Sequence, residues 1–124
     1  MNAQCLSFLR SNECLLGVAG LKSPEPAYRA RVEKNSKTKL SVAEFPYELG
    51  WVFILPSARD RKQSFPLCQP LVTAAKGTGV FATSRTTLQG MHRTLERLEF
   101  ARAGSEWPSK GNDGNLALFL KHAV

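Results

Sequence analysis

Tyr28-Arg29-Ala30-Arg31-Val32-Glu33-Lys34-Asn35-Ser36-Lys37-Thr38-Lys39-Leu40-Ser41-Val42 is the stretch on which the reading of this chain turns. Arg29, Arg31, Lys37 and Lys39 are odd-numbered, whereas Tyr28, Ala30, Val32, Leu40 and Val42 are even-numbered. In a strand, successive side chains point to opposite faces. The pattern therefore predicts a β-hairpin, with strands over 27–34 and 38–45, an apolar face and a basic ribbon. Keeping the apolar sets on one face requires a three-residue loop near Asn35-Ser36. Lys34 adds to the charge, and Pro46 ends the second strand. Like charges facing one another across strands repel. An anionic partner relieves that repulsion, and phosphates are natural candidates.

Working outward, Trp51-Val52-Phe53-Ile54-Leu55 is a continuous apolar run, as expected of a central strand. The charged series Arg59-Asp60-Arg61-Lys62 follows Pro56 and reads as a loop able to extend the basic patch. Residues 65–75 are interrupted by Pro66 and Pro70 and read mostly as loop. Leu88, Met91, Leu95 and Leu98 form one apolar stripe, which predicts the main helix over 86–103. Thr86 and Gln89 match a capping box, and Gly104 is placed to cap the other end. Residues 115–121 suit a final strand. Toward the start, Cys5, Phe8, Leu9, Leu15, Leu16 and Ala19 fit an N-terminal helix over about 1–20, with Ser11-Asn12 as its weak point. Pro24 and Pro26 make the next segment a linker. The expected fold is one α+β domain over 1–124. A small antiparallel sheet of about four strands packs against one main helix, with an additional N-terminal helix.

Composition narrows the function. The chain has 124 residues, a net charge of +7 and 43% hydrophobic residues. That is enough for a core without staples, and the charge favours polyanions. Cys5, Cys14 and Cys68 are an odd count, so a complete disulfide framework is excluded and a reducing, cytoplasmic setting is expected. No secretory leader is evident, because Arg10 and Glu13 interrupt the first apolar run. No stretch is long enough for a membrane span.

Chemical motifs are sparse. Cys5, Cys14, Cys68, His92 and His122 lack zinc-ligand spacing. Acidic residues are scattered, which speaks against a carboxylate-bound catalytic metal, and no cofactor is expected. Cys68, among apolar neighbours, reads as a buried thiol. Lys76, Ser84 and Arg85 flank a glycine turn and a helix start, a place where backbone N–H groups can hold an anion. The glycine spacing matches neither a phosphate-binding lysine loop nor a dinucleotide fingerprint. Trp107 lies in a polar stretch and reads as a partner contact. These observations point to a non-enzymatic protein that binds the backbone phosphates of DNA or RNA. The residues would be Arg29, Arg31, Lys34, Lys37, Lys39, Arg59, Arg61 and Lys62. The alternative is a small adaptor or inhibitor, of viral or mobile-element type, that engages another protein.

Overall fold

The chain opens with two strands rather than a helix. A computed structural model describes residues 2–59, 63–111 and 114–124, with side chains from Gln4 onward. Strands β1 (Asn2–Ser11) and β2 (Cys14–Ser23) pair as an antiparallel hairpin. The weak point in the helical pattern is the turn. Asn12 and Glu13 both have positive φ, 49° and 71°, and Ser11 pairs directly with Cys14. That two-residue geometry matches the twist of the flanking strands.

The stretch read as a basic hairpin is helix α1 (Pro26–Ser36), followed by a loop over 37–46. Pro26 starts the helix, where its missing N–H costs nothing. The inward residues are Arg29, Val32 and Ser36, at helical spacing. Two of those three are polar, so the apolar pattern alone mimics alternation. Arg29 is buried because its guanidinium has carbonyl partners: Nη1 donates to Leu40 O at 3.0 Å and Phe45 O at 2.8 Å. Ser36 Oγ donates to Val32 O at 2.7 Å.

The remaining elements are β3 (Tyr47–Ile54), α2 (Ser64–Ala74), β4 (Val80–Arg85), α3 (Gln89–Arg97), β5 (Ala101–Pro108) and β6 (Asn115–Lys121). Helix α2 forms despite two prolines. Pro66 lies in the first turn, where N–H groups have no intrahelical partner, and Pro70 projects to solvent. The helix expected over 86–103 is half as long. Glu99 takes φ 73° two residues beyond α3, and the chain re-enters the sheet as β5. Gly104 is not a helix cap but a bulge in β5 at φ 69°, where a Cβ would overlap the Ser36 carbonyl and the Thr38 hydroxyl.

The strands form one sheet in the order β1-β2-β3-β4-β6-β5. All neighbours are antiparallel except β3 and β4. On one face, α2 and α3 bury Leu49, Leu67, Leu71, Ala82, Leu95 and Phe119. On the other, α1 and the 37–46 loop bury Val32, Leu40, Phe45, Phe81, Trp107 and Leu118. A six-stranded mixed sheet with three helices thus replaces the small four-stranded sheet against one main helix.

Candidate active site

The parallel pair at the centre of the sheet is almost vestigial. β3 and β4 match only at Tyr47–Val80 and Glu48–Phe81. Beyond Glu48, β3 continues alongside β2, while β4 follows β6 along its whole length. A bulge adds to the divergence. The β2–β3 register shifts between Val18 and Gly20, opposite Gly50–Phe53, and Trp51 adopts φ 53°. The parting strands open a cleft of about 1070 Å³. Residues 50–54 of β3 and 83–85 of β4 form its sides, and α2 and α3 supply Ser64, Phe65, Arg93 and Arg97.

Glu48 lines this cleft at the point where the strands part, and it is only 2% exposed. Tyr28 of α1 donates its hydroxyl to Oε2 at 2.7 Å. Lys22 of β2 places Nζ 3.2 Å from Oε1. That contact pairs the charges without aligning a hydrogen bond, and Oε1 accepts none among the described residues. Burial raises the Glu48 pKa above the ordinary carboxylate value, and Lys22 and the Tyr28 hydroxyl partly oppose the rise. The Tyr28 phenol is pushed well above its ordinary value, first by burial and then by the neighbouring carboxylate. The Lys22 ammonium lies 4.8 Å from the Trp51 ring and 5.9 Å from the Tyr28 ring. A carboxyl in this setting is suited to take a proton from a donor in the cleft.

Arg59, Arg85, Arg93 and Arg97 also line the cleft. Arg59 Nε donates to Ile54 O at 2.8 Å, which holds its side chain against the end of β3. The Arg97 guanidinium stacks 3.8 Å above the Phe65 ring. The first turn of α2 carries no side-chain cap, and its residues Ser64 and Phe65 line the cleft. N–H groups at a helix start that no described side chain caps, beside arginines, suit an anionic ligand. Among the described residues, no three His, Cys, Asp or Glu side chains are grouped to hold a metal. No helix among them is long and apolar enough to cross a membrane.

The structure scatters the residues expected to bind nucleic acid. Arg29 is buried in α1. Arg31 lies over the Tyr28 ring at 5.6 Å. Lys34, Lys37 and Lys39 do come together, around a shallow depression of about 420 Å³ that shares no residue with the cleft. Arg59 belongs to the cleft instead, and Arg61 and Lys62 lie outside the described residues. Lys76 follows the end of α2, and the length of β4 separates it from Ser84 and Arg85. Ser84 is buried and donates to Arg85 O at 3.3 Å. Trp107 is a core residue of the α1 face rather than a partner contact. Lys22, Tyr28 and Glu48 went unnoticed as a group. The available signal was a charge at one end of each of two apolar strands.

No family model and no curated protein matches the sequence. Solved structures do share the fold. An N-acetyltransferase from Staphylococcus aureus superposes with a TM-score of 0.63 at 20% identity, covering 93% of this chain and 65% of that one. A coenzyme A-dependent acyl-homoserine lactone synthase, solved with SAM and isopentyl-CoA, gives 0.67 at 15% identity, covering 96% and 58%. An acyl-CoA N-acyltransferase from Pseudomonas aeruginosa gives 0.60 at 15% identity, covering 92% and 65%. The fold is that of the GNAT acetyltransferases, and this chain spans about two thirds or less of the length of these three relatives. The likeness overturns both non-enzymatic readings, the phosphate-backbone binder and the adaptor or inhibitor. Its structural neighbours are acyl-transferring enzymes, and the basic hairpin that carried the nucleic-acid reading does not exist.

Proposed function

We propose that the chain is an acyltransferase that moves an acyl group from a coenzyme A thioester to an amine. The observation that carries this reading is the buried Glu48 carboxyl, ion-paired with Lys22, where β3 and β4 part in a fold shared with N-acyltransferases. Arg59, Arg85, Arg93 and Arg97, with the backbone N–H groups at the start of α2, would hold the thioester's phosphates. Beyond Glu48, the β4-facing backbone of β3 has no ladder partner among the described residues, so its amides are free to bond the amide groups of the pantetheine arm. Glu48 would take the proton that the acceptor amine must lose, leaving a neutral nitrogen to attack the thioester carbonyl. Tyr28 and Lys22 hold that carboxyl in place. The chemistry needs no protein nucleophile, so one general base and a preorganised cleft suffice.

The test follows free thiol released from acetyl-CoA over a panel of primary amines, with coenzyme A binding measured separately by calorimetry. Wild-type protein should bind coenzyme A and release thiol when an acceptor amine is supplied. Glu48→Gln should retain binding and lose transfer by a factor on the order of 10²–10⁴. A protein that binds no coenzyme A sinks the proposal.

A further inference from the structure

One cation in the cleft is unlike the rest. Arg59, Arg85, Arg93 and Arg97 carry guanidinium groups, whereas Lys22 is the single amine lining the cleft among the described residues. Its side chain is only 8% exposed. Nζ stands 3.2 Å from Glu48 Oε1, so the amine is already in contact with the carboxylate. The lysine also lies directly over Gly50. A Cβ at Gly50 would come within 2.6 Å of Lys22 Cε and 2.8 Å of Nζ, so glycine there leaves the space that the amine occupies. Gly50 adjoins the bulge at Trp51, beside the backbone edge that β4 leaves unpaired. The Trp51 and Tyr28 rings flank the ammonium and fix its approach.

An acceptor amine needs three things at this site: a position in the cleft, contact with the proton-accepting carboxylate, and a fixed orientation. Lys22 has all three. We infer that Lys22 is itself an acyl acceptor, a site of self-acylation from the bound thioester. This rests on the acyl-transfer reading of the cleft. Lys22 first passes a proton from its ammonium to the Glu48 carboxylate. The neutral Nζ then attacks the thioester carbonyl, the N–C bond forms and the C–S bond breaks. The second nitrogen proton leaves with the sulfur as free thiol, and Glu48 returns its proton to solvent. The product carries a neutral amide where the ion pair stood.

The experiment incubates intact protein with acetyl-CoA and follows acetyl occupancy at each lysine by peptide mass spectrometry. Lys34, Lys37 and Lys39, exposed and outside the cleft, report the uncatalysed background on the same molecule. Lys22 should acquire acetyl faster than these three by a factor on the order of 10². In Glu48→Gln the excess should vanish. The same ratio measured in denaturant, where the cleft is gone, should fall to unity and keeps the test independent of any variant's folding. Lys22 reacting no faster than the exposed lysines, or equally fast in denaturant, overturns the inference. Calorimetry with coenzyme A separates the two possible failures. Binding and transfer to free amines without Lys22 acylation removes only the self-acylation, whereas absence of binding removes the acyl-transfer reading beneath it.

Discussion

Glu48 is held by opposing pressures, and its neighbours set the balance. Burial favours the protonated form, while the Lys22 charge and the Tyr28 hydroxyl favour the ionised one. The acid limb of kcat/KM for transfer should therefore lie above the ordinary carboxylate range. Tyr28→Phe removes a hydrogen bond that favours the carboxylate, so Glu48 is protonated at higher pH and the limb moves upward. A pH–rate profile of that variant checks the direction, and an unmoved limb counts against Glu48 as the base. Arg29 adds a smaller charge contribution that also favours the ionised Glu48, but its main role is structural. Arg29→Leu leaves the carbonyls of Leu40 and Phe45 without their donor, which should cost about 3 kcal/mol in denaturant unfolding. Cys68 is a third case. Burial pushes its thiol up to about 12, so a thiol reagent at mildly alkaline pH should label exposed Cys14 at once and Cys68 only on unfolding.

At the scale of elements, what could be read depended on whether apolar residues alone marked the buried face. β6 lies over Asn115–Lys121, where a run of apolar residues suggested a strand. α1 was misread because its inner face carries Arg29 and Ser36, each satisfied by carbonyls that only the folded 37–46 loop and the helix itself supply. α2 was misread because prolines usually break helices, yet Pro66 falls in the turn that tolerates one. α3 was read too long because Leu98 continues its stripe, while the positive φ at Glu99 ends it. Two residues that line the cleft, Arg59 and Arg85, had drawn notice in the sequence as expected anion contacts. Lys22 and Glu48 had not, because their meeting depends on β2–β3 register over a separation of 26 residues that no local pattern encodes. The β1–β2 turn offers a direct check at this scale. Glu13 occupies a position where glycine is at ease and glutamate is strained. Glu13→Gly should stabilise the protein by about 0.5–1 kcal/mol in thermal or denaturant unfolding.

Across the whole molecule, the excess of positive charge takes a different meaning from the one composition first suggests. Two groups of it stand apart, a lysine cluster on α1 and its loop and an arginine-lined cleft. Coenzyme A binding should weaken as ionic strength rises, since part of that attraction is screened. Calorimetry across a salt series reads this directly, and substituting Lys34, Lys37 and Lys39 should alter it little. The two-rung join between β3 and β4 carries a further consequence. The sheet is in effect two leaves bound along one short spine, β1-β2-β3 and β4-β6-β5. On the proposed acyl-transfer reading, a thioester lying between them would act as a missing rung as much as a reagent, and part of the fold's cohesion would reside in the molecule that the reaction consumes. The leaves should be sprung tightest while the thioester is held and loosest after the product leaves. Amide exchange along the inner edge of β3 would then keep time with turnover.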